Sequence, residues 1–291
     1  MKTTVFRGVG TALITPFLDG RIDYKCLSVL IDRQIDAGID ALVIGGTTGE
    51  AATLTDTERY ELYKFTREYI RGRCKLIFGS GTNDTRGAIQ HTEMAEKIGC
   101  DGALVVTPYY NKGTREGVAR HYEAIADATS LPIILYNVPS RTGVSLDIET
   151  VERLSQKNNI VGIKEASDSQ ERLMALSAIE GFGLYAGNDS AISTVLSLGG
   201  LGVISVVSNL YPKETMEICK QFFANNLDGA LKMQKKLLPV INALFLETNP
   251  APIKYALSSL GLCRGEMRLP MWFVTESTKN RIEQAVKKMQ N

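Results

Sequence analysis

The sequence predicts a closed (β/α)8 barrel, an α/β fold, followed by a C-terminal three-helix extension. Three observations carry that expectation. Short apolar runs bounded by Gly or Pro alternate with longer amphipathic stretches, as parallel strands alternate with the helices that cover them. Eight such runs are present, the number that closes a barrel, and the turn after the first lacks the G-x-G-x-x-G of the competing doubly wound sheet. Beyond residue 224 the helical period continues with no further apolar strand.

The strands are read at residues 10–14, 41–44, 76–79, 103–106, 133–136, 161–164, 183–186 and 203–206. Their starts lie about 20 to 35 residues apart, room for a loop, a helix and a return turn. Ala37-Gly38, Ile98-Gly99 and Leu198-Gly199 each set glycine just past an apolar stripe, where a helix ends in the left-handed conformation. Thr55-Asp56-Thr57-Glu58 and Ser167-Asp168-Ser169-Gln170 both read as capping boxes opening a helix. In the extension, helices are expected over 227–246, 253–260 and 275–289, the first two separated by Thr248-Asn249-Pro250-Ala251-Pro252. Residues 1–224 are thus read as the barrel carrying the active site. Residues 225–291 form the extension, packed on the barrel because no Gly/Ser-rich linker separates them.

Composition narrows the function. Lys and Arg number 33 against 32 Asp and Glu, a net charge of +1, so there is no basic excess for nucleic acid or an anionic membrane. No segment reaches the roughly 18 consecutive apolar residues of a membrane span. Met1 to Gly8 shows no apolar core before its second charge, so no signal peptide is expected and the compartment reads as the cytoplasm. The five cysteines are far apart with no C-x-x-C pair, and the only two histidines, His91 and His121, fall in helix-like stretches. Neither a disulfide framework nor a metal centre is expected, and no cofactor motif is present.

In such barrels the reacting groups stand at the C-terminal ends of the strands. Lys164 ends an otherwise apolar strand and, by alternation, shares its inward face with Gly162. Desolvation there favours the neutral amine, the form that attacks a carbonyl; the alternative is a lysine paired with Glu165 or a neighbouring carboxylate. Tyr136 ends the adjacent strand, so its phenol could pass protons near that amine, or simply close the top of the core. Thr47 and Thr48, set between glycines, offer hydroxyls and amides to a small carboxylate, or serve as turn residues. Arg141 lies on the same rim, where a guanidinium fork would hold a second carboxylate or a surface ion pair. The last strand leads into Ser208-Asn209-Leu210-Tyr211-Pro212 rather than a glycine-rich cradle, which disfavours a phosphorylated substrate.

Gly46-Thr47-Thr48-Gly49-Glu50, Tyr136-Asn137-Val138-Pro139-Ser140-Arg141-Thr142-Gly143 and Gly162-Ile163-Lys164-Glu165-Ala166 together resemble the dihydrodipicolinate synthase family, over nearly the whole chain. The wider superfamily, with N-acetylneuraminate lyase and related aldolases, shares the barrel, the lysine and the tyrosine; the Ser140-Arg141-Thr142-Gly143 segment is the more specific signal. The resemblance implies a lyase of lysine and diaminopimelate biosynthesis that joins pyruvate to L-aspartate 4-semialdehyde and gives 4-hydroxy-tetrahydrodipicolinate. Lys164 would form the pyruvate imine. Tyr136, Thr47 and Tyr110 would make the proton relay, with Tyr110 arriving from a neighbouring subunit. Thr48 and Arg141 would bind the two carboxylates, and the backbone of Gly187 and Ile204 would line the site. The assembly implied is a homotetramer, a dimer of dimers.

One departure from the family pattern bears on regulation. Members inhibited by L-lysine are expected to carry a serine at Ala51, histidines at Asp56 and Arg59, and a glutamate at Gly87, with only Asn83 and Tyr109 retained here. Weak or absent inhibition is therefore expected. The alternatives are a 2-keto-3-deoxy sugar acid aldolase using the same Lys164 and Tyr136, and a barrel that binds a keto acid without catalysis.

Overall fold

Eight parallel strands hydrogen-bond in chain order and the last closes on the first, so the sheet has no exposed edge. The computed structural model describes residues 2–167 and 169–290. The strands are β1 (Gly8–Ala12), β2 (Ala41–Ile44), β3 (Lys75–Gly79), β4 (Gly102–Val106), β5 (Ile133–Asn137), β6 (Ile160–Glu165), β7 (Gly183–Ala186) and β8 (Gly202–Ser205). The first lies two residues earlier than the apolar run suggests. Gly8 and Gly10 can line a strand but contribute no hydrophobic signal, whereas Leu13 and Ile14 are buried just beyond the ladder. A small antiparallel hairpin, Phe17–Leu18 with Arg21–Ile22, was not anticipated.

The covering helices are α1 (Tyr24–Asp36), α2 (Asp56–Ile70), α3 (Thr85–Ile98), α4 (Arg115–Asp127), α5 (Ile148–Ser155), α6 (Gln170–Ser177), α7 (Ile192–Ser197) and α8 (Pro212–Phe223). Gly38, Gly99 and Gly199 all have positive φ at helix ends, as their position requires. At the start of α2, Thr55 and Glu58 form the reciprocal capping box. The second expected box is corrected: the N-cap of α6 is Ser169, whose hydroxyl accepts from the Arg172 amide, and not Ser167, while Asp168 lies outside the described residues. Ser167 is held elsewhere, its amide donating to the Glu165 carboxylate.

Two packed layers hold the barrel. Outside the sheet, strand side chains such as Leu42, Phe78, Leu135 and Ile163 meet the helices; inside, Val43, Ile77, Leu104, Ile134, Tyr185 and Ile204 fill the cylinder. Glycine is required where the wall is tightest: a Cβ on Gly162 would come within 2.5 Å of the Gly183 carbonyl oxygen. Gly45, leaving β2 at φ +62°, would drive a Cβ into the Tyr63 hydroxyl at 1.9 Å. That turn therefore admits only glycine, and it sets the direction of the Thr47-Thr48 segment.

The extension comprises α9 (Leu227–Leu244), α10 (Ala251–Ser259) and α11 (Glu276–Gln290). Helix α9 packs along α8, and the chain between α9 and α10 turns back over the barrel mouth. A buried ion pair fastens this junction: Lys254 on α10 meets Glu50 of the β2 turn, both side chains 1% exposed. Among the described residues no helix is long and apolar enough to cross a membrane.

Candidate active site

A cleft of about 630 Å³ opens at the C-terminal ends of the strands, its wall including Thr47, Thr48, Tyr136, Arg141, Lys164 and Gly187. Lys164 is 5% exposed and stands directly opposite Tyr136 in the β5–β6 ladder. Its Nζ lies 4.4 Å from the centre of the Tyr136 ring. Burial pulls the ammonium's proton affinity down to about 8; Asp189 opposes that shift and Arg141 adds to it. The amine can therefore be free at near-neutral pH, as a nucleophile must be.

The pairing of Lys164 with Glu165 does not form. Glu165 turns to the outer face, where its carboxylate accepts from Asn137 Nδ2 (2.8 and 3.1 Å), Ser167 N (2.9 Å) and Arg172 Nε (2.7 Å). Asn137 and Glu165 are themselves ladder partners, one step beyond Tyr136 and Lys164. This outer clamp fixes the register of the inner pair.

Tyr136 is buried, and the Thr47 side chain lies close enough to act on its phenol. Burial raises its phenol's pKa, and Arg141 and Thr47 draw it partly back, so it is a neutral donor that a nearby cation and hydroxyl assist. The Thr47-Thr48 turn is closed by backbone bonds from Gly49 N to Gly46 O and from Glu50 N to Thr47 O, both 3.1 Å. Arg141 sits on a single helical turn, Pro139–Thr142, that ends at Gly143 with φ +68°. Its guanidinium remains exposed on the rim.

Sequence reasoning missed Asn249. Its side-chain amide donates to the Thr48 hydroxyl (2.9 Å), and its backbone carbonyl accepts from Arg141 Nη2 (2.9 Å). One residue of the extension thereby joins Thr48 and Arg141. The Asn249-Pro250 break showed only that a helix ends there; its contacts, more than 100 residues distant in sequence, left no local signal. Asp189 was likewise passed over, although it follows the end of β7.

Two expected residues lie apart from the cleft. Tyr110 is 87% exposed at φ +72° and is not part of the wall. Ile204 points into the barrel interior, fully buried, and Val206 takes the wall position instead. A second, more apolar cavity of about 270 Å³ shares Thr47, Tyr136 and Arg141 and reaches Arg59 and Tyr109. Among the described residues no group of His, Cys, Asp and Glu side chains gathers as a metal site requires.

Residues 5–289 match the dihydrodipicolinate synthetase family. A 4-hydroxy-tetrahydrodipicolinate synthase from Clostridium novyi (strain NT) is 45% identical over 285 residues, covering 97% of this chain and 96% of its own. The chain belongs to the dihydrodipicolinate synthetase family. With that membership it is an enzyme, a lyase of the 4-hydroxy-tetrahydrodipicolinate synthase class. Family structures agree throughout the fold. The dihydrodipicolinate synthase of Thermotoga maritima superposes with a TM-score of 0.97 at 41% identity, covering 99% of each chain. A structure described as a monomeric dihydrodipicolinate synthase variant gives 0.96 at 41% identity, covering 98% of this chain and 97% of its own.

Proposed function

We propose that the chain condenses pyruvate with L-aspartate 4-semialdehyde through an imine on Lys164. The observation that carries this reading is the buried Lys164 amine across the ladder from Tyr136, in a cleft with two separate carboxylate-sized positions. The neutral amine attacks the keto carbon of pyruvate and water leaves, giving the imine. Loss of a methyl proton gives the enamine, whose carbon attacks the aldehyde of the second substrate. The alkoxide that forms takes a proton from Tyr136, which Thr47 re-supplies. The substrate's own amino group then attacks the imine carbon, expels the Lys164 amine and closes the ring. No coenzyme enters, because the imine nitrogen itself receives the electron pair.

Thr48 is suited to pyruvate's carboxylate, since its hydroxyl accepts from Asn249 and so keeps its own hydrogen for the ligand. Arg141 suits the second carboxylate, and the Gly187 backbone lines the wall, where a Cβ would come within 2.6 Å of the Glu165 carbonyl oxygen. Ile204 would act only through its place in the strand. Tyr110 is read as the relay member contributed by a neighbouring subunit, and its 87% exposure supports that reading. The assembly proposed is a homotetramer, working in the cytoplasm. The test is product formation from pyruvate with each of two aldehydes, the aspartate semialdehyde and a sugar aldehyde. Preference for the sugar aldehyde would instead make the chain a 2-keto-3-deoxy sugar acid aldolase.

Insensitivity to L-lysine belongs to the same proposal. Arg59 donates to the Ala51 carbonyl at the second cavity, a cation where a lysine ligand would bring another. Asp56 is engaged by His91 Nε2 at 2.9 Å, and Gly87 offers no carboxylate. Initial rates in millimolar lysine should stay near the uninhibited value; half-inhibition at sub-millimolar lysine would contradict this.

A further inference from the structure

We propose that Asp189 is the counter-ion of the Lys164 imine, a positioning residue that makes a positive charge tolerable at the reacting nitrogen. The inference rests on the imine reading above and adds a residue to it. Asp189 follows β7 at the first position of a short 3₁₀ turn, with 1% of its surface exposed. Its Oδ2 accepts from the Val206 and Val207 amides, at 3.0 and 2.9 Å, just past the end of β8. Its backbone carbonyl accepts from Gln234 Nε2 of α9 at 3.0 Å, so the residue is held both from the segment after β8 and from α9. Its Oδ1 is buried with no hydrogen-bond partner among the described residues. The Ser205 side chain and the two amides offset part of the burial, but burial still raises the carboxyl's pKa overall, and the unpartnered oxygen is costly unless a cation uses it.

The cation available is Lys164. Both flanks of Asp189, Asn188 before it and its partner Val206 across from it, share the cleft wall with Lys164. The charged and titratable groups acting on Lys164 are the Tyr136 phenol from β5, the Arg141 guanidinium from the turn after β5, and the Asp189 carboxylate from the turn after β7. Burial pushes that carboxyl above the usual carboxylate range, and Ser205, the two valine amides and Lys164 draw it back. Arg141 repels a charge on Nζ and Asp189 attracts one. Glu165, the adjacent carboxylate on β6 itself, is turned outward and committed to Arg172.

The chemistry needs such an anion more than the resting enzyme does. A buried amine escapes its desolvation penalty by losing its proton. A protonated imine awaiting attack cannot do so without losing its electron-withdrawing power. An anion held by two backbone amides, with no reorganisation to make, stabilises that state selectively. A purely structural Asp189 would be served equally well by asparagine, whose carbonyl can still accept from both amides.

The test is reductive trapping of pyruvate by borohydride on the full-length protein, followed across pH, for the unmodified chain, Asp189→Asn, Asp189→Ser and Asp189→Glu. Whichever uncharged variant retains the wild-type circular dichroism and melting profile carries the readout. For the unmodified chain the trapping midpoint is expected near pH 8. Without the carboxylate, Lys164 holds its proton less tightly, so the midpoint should fall by about one pH unit. Pyruvate affinity on the alkaline plateau should weaken by about tenfold, and Asp189→Glu should lie closer to the unmodified chain. Superimposable pH profiles for the unmodified and uncharged forms, or a midpoint displaced upward, would overturn this assignment while leaving the imine reading intact. Absence of any adduct in the unmodified chain at every pH would overturn both.

Discussion

Lys164 and Tyr136 are ladder partners at the mouth of the barrel, the amine nitrogen 4.4 Å from the centre of the phenol ring. Their separation is set by the backbone rather than by side-chain chance. The next rung, Asn137 with Glu165, is tied on the outer face by hydrogen bonds of 2.8 and 3.1 Å. A slip of one residue would break that clamp and turn either Lys164 or Tyr136 outward.

Tyr136→Phe should separate chemistry from binding. The ring, its packing and the ladder remain, while the proton donor is lost. Turnover is expected to fall by about 10²- to 10⁴-fold with pyruvate affinity little changed. Steady-state kinetics at varied pyruvate check this; an equal loss in both parameters would assign the hydroxyl to ground-state binding instead.

The pH dependence has a definite sign. Burial lowers Lys164 to about 8 from an ordinary 10.5, so below pH 8 the free amine, and with it the imine-forming rate, drops about tenfold per unit. Stability follows the same group. Between about pH 8 and 10.5 the unfolded chain keeps a proton that the folded chain has released. This contribution therefore favours folding increasingly as pH rises through that window. Lys164→Met removes this titrating group but also leaves Asp189 without its cation, so the variant should lose the rise in stability between about pH 8 and 10.5 that the unmodified chain shows. Thermal melts of the two across pH would detect the crossing contribution.

Most of the barrel is legible in the sequence because its grammar is local. Apolar runs, glycine helix ends and the Thr55 capping box each declare an element within a few residues. The inward aim of Lys164 is equally local, a consequence of strand alternation past Gly162. What escapes is created only by closure. Asn249 reaches Thr48 and Arg141 across 201 and 108 positions of chain, and Asp189 acquires its partners from β8 and α9. Ser167 reads as a cap by its spacing, but the Glu165 carboxylate competes for its amide and the helix starts later. The extension, which the sequence presents as an appendage, supplies a wall of the cleft for the same reason.

Arg141→Ala should act mainly on the second substrate. Losing a charged hydrogen-bond partner for a carboxylate corresponds to a rise of about 10- to 100-fold in the semialdehyde KM. Trapping with pyruvate should persist, with its midpoint displaced to higher pH because Arg141 no longer repels the proton on Lys164. Because Arg141 also donates to Asn249, a small loss in melting temperature is expected and would be measured alongside.

The Glu50–Lys254 pair joins the Thr47-Thr48 turn to α10, and its lysine also donates to the Glu266 carbonyl at 2.8 Å. Lys254→Met leaves a carboxylate buried without its cation and should destabilise the fold by about 3–5 kcal/mol. Adding Glu50→Gln should recover part of that loss, since the stranded charge is gone. Chemical denaturation of the single and double variants decides it; equal stability of all three would mean the pair is idle.

The most direct test of the imine is chemical capture. The protein is incubated with pyruvate, reduced with borohydride, digested and mapped by mass. The expected result is one pyruvate-derived adduct, on the β6 peptide and at Lys164, absent from Lys164→Met. An unmodified β6 peptide, or an adduct on a different lysine, would contradict it.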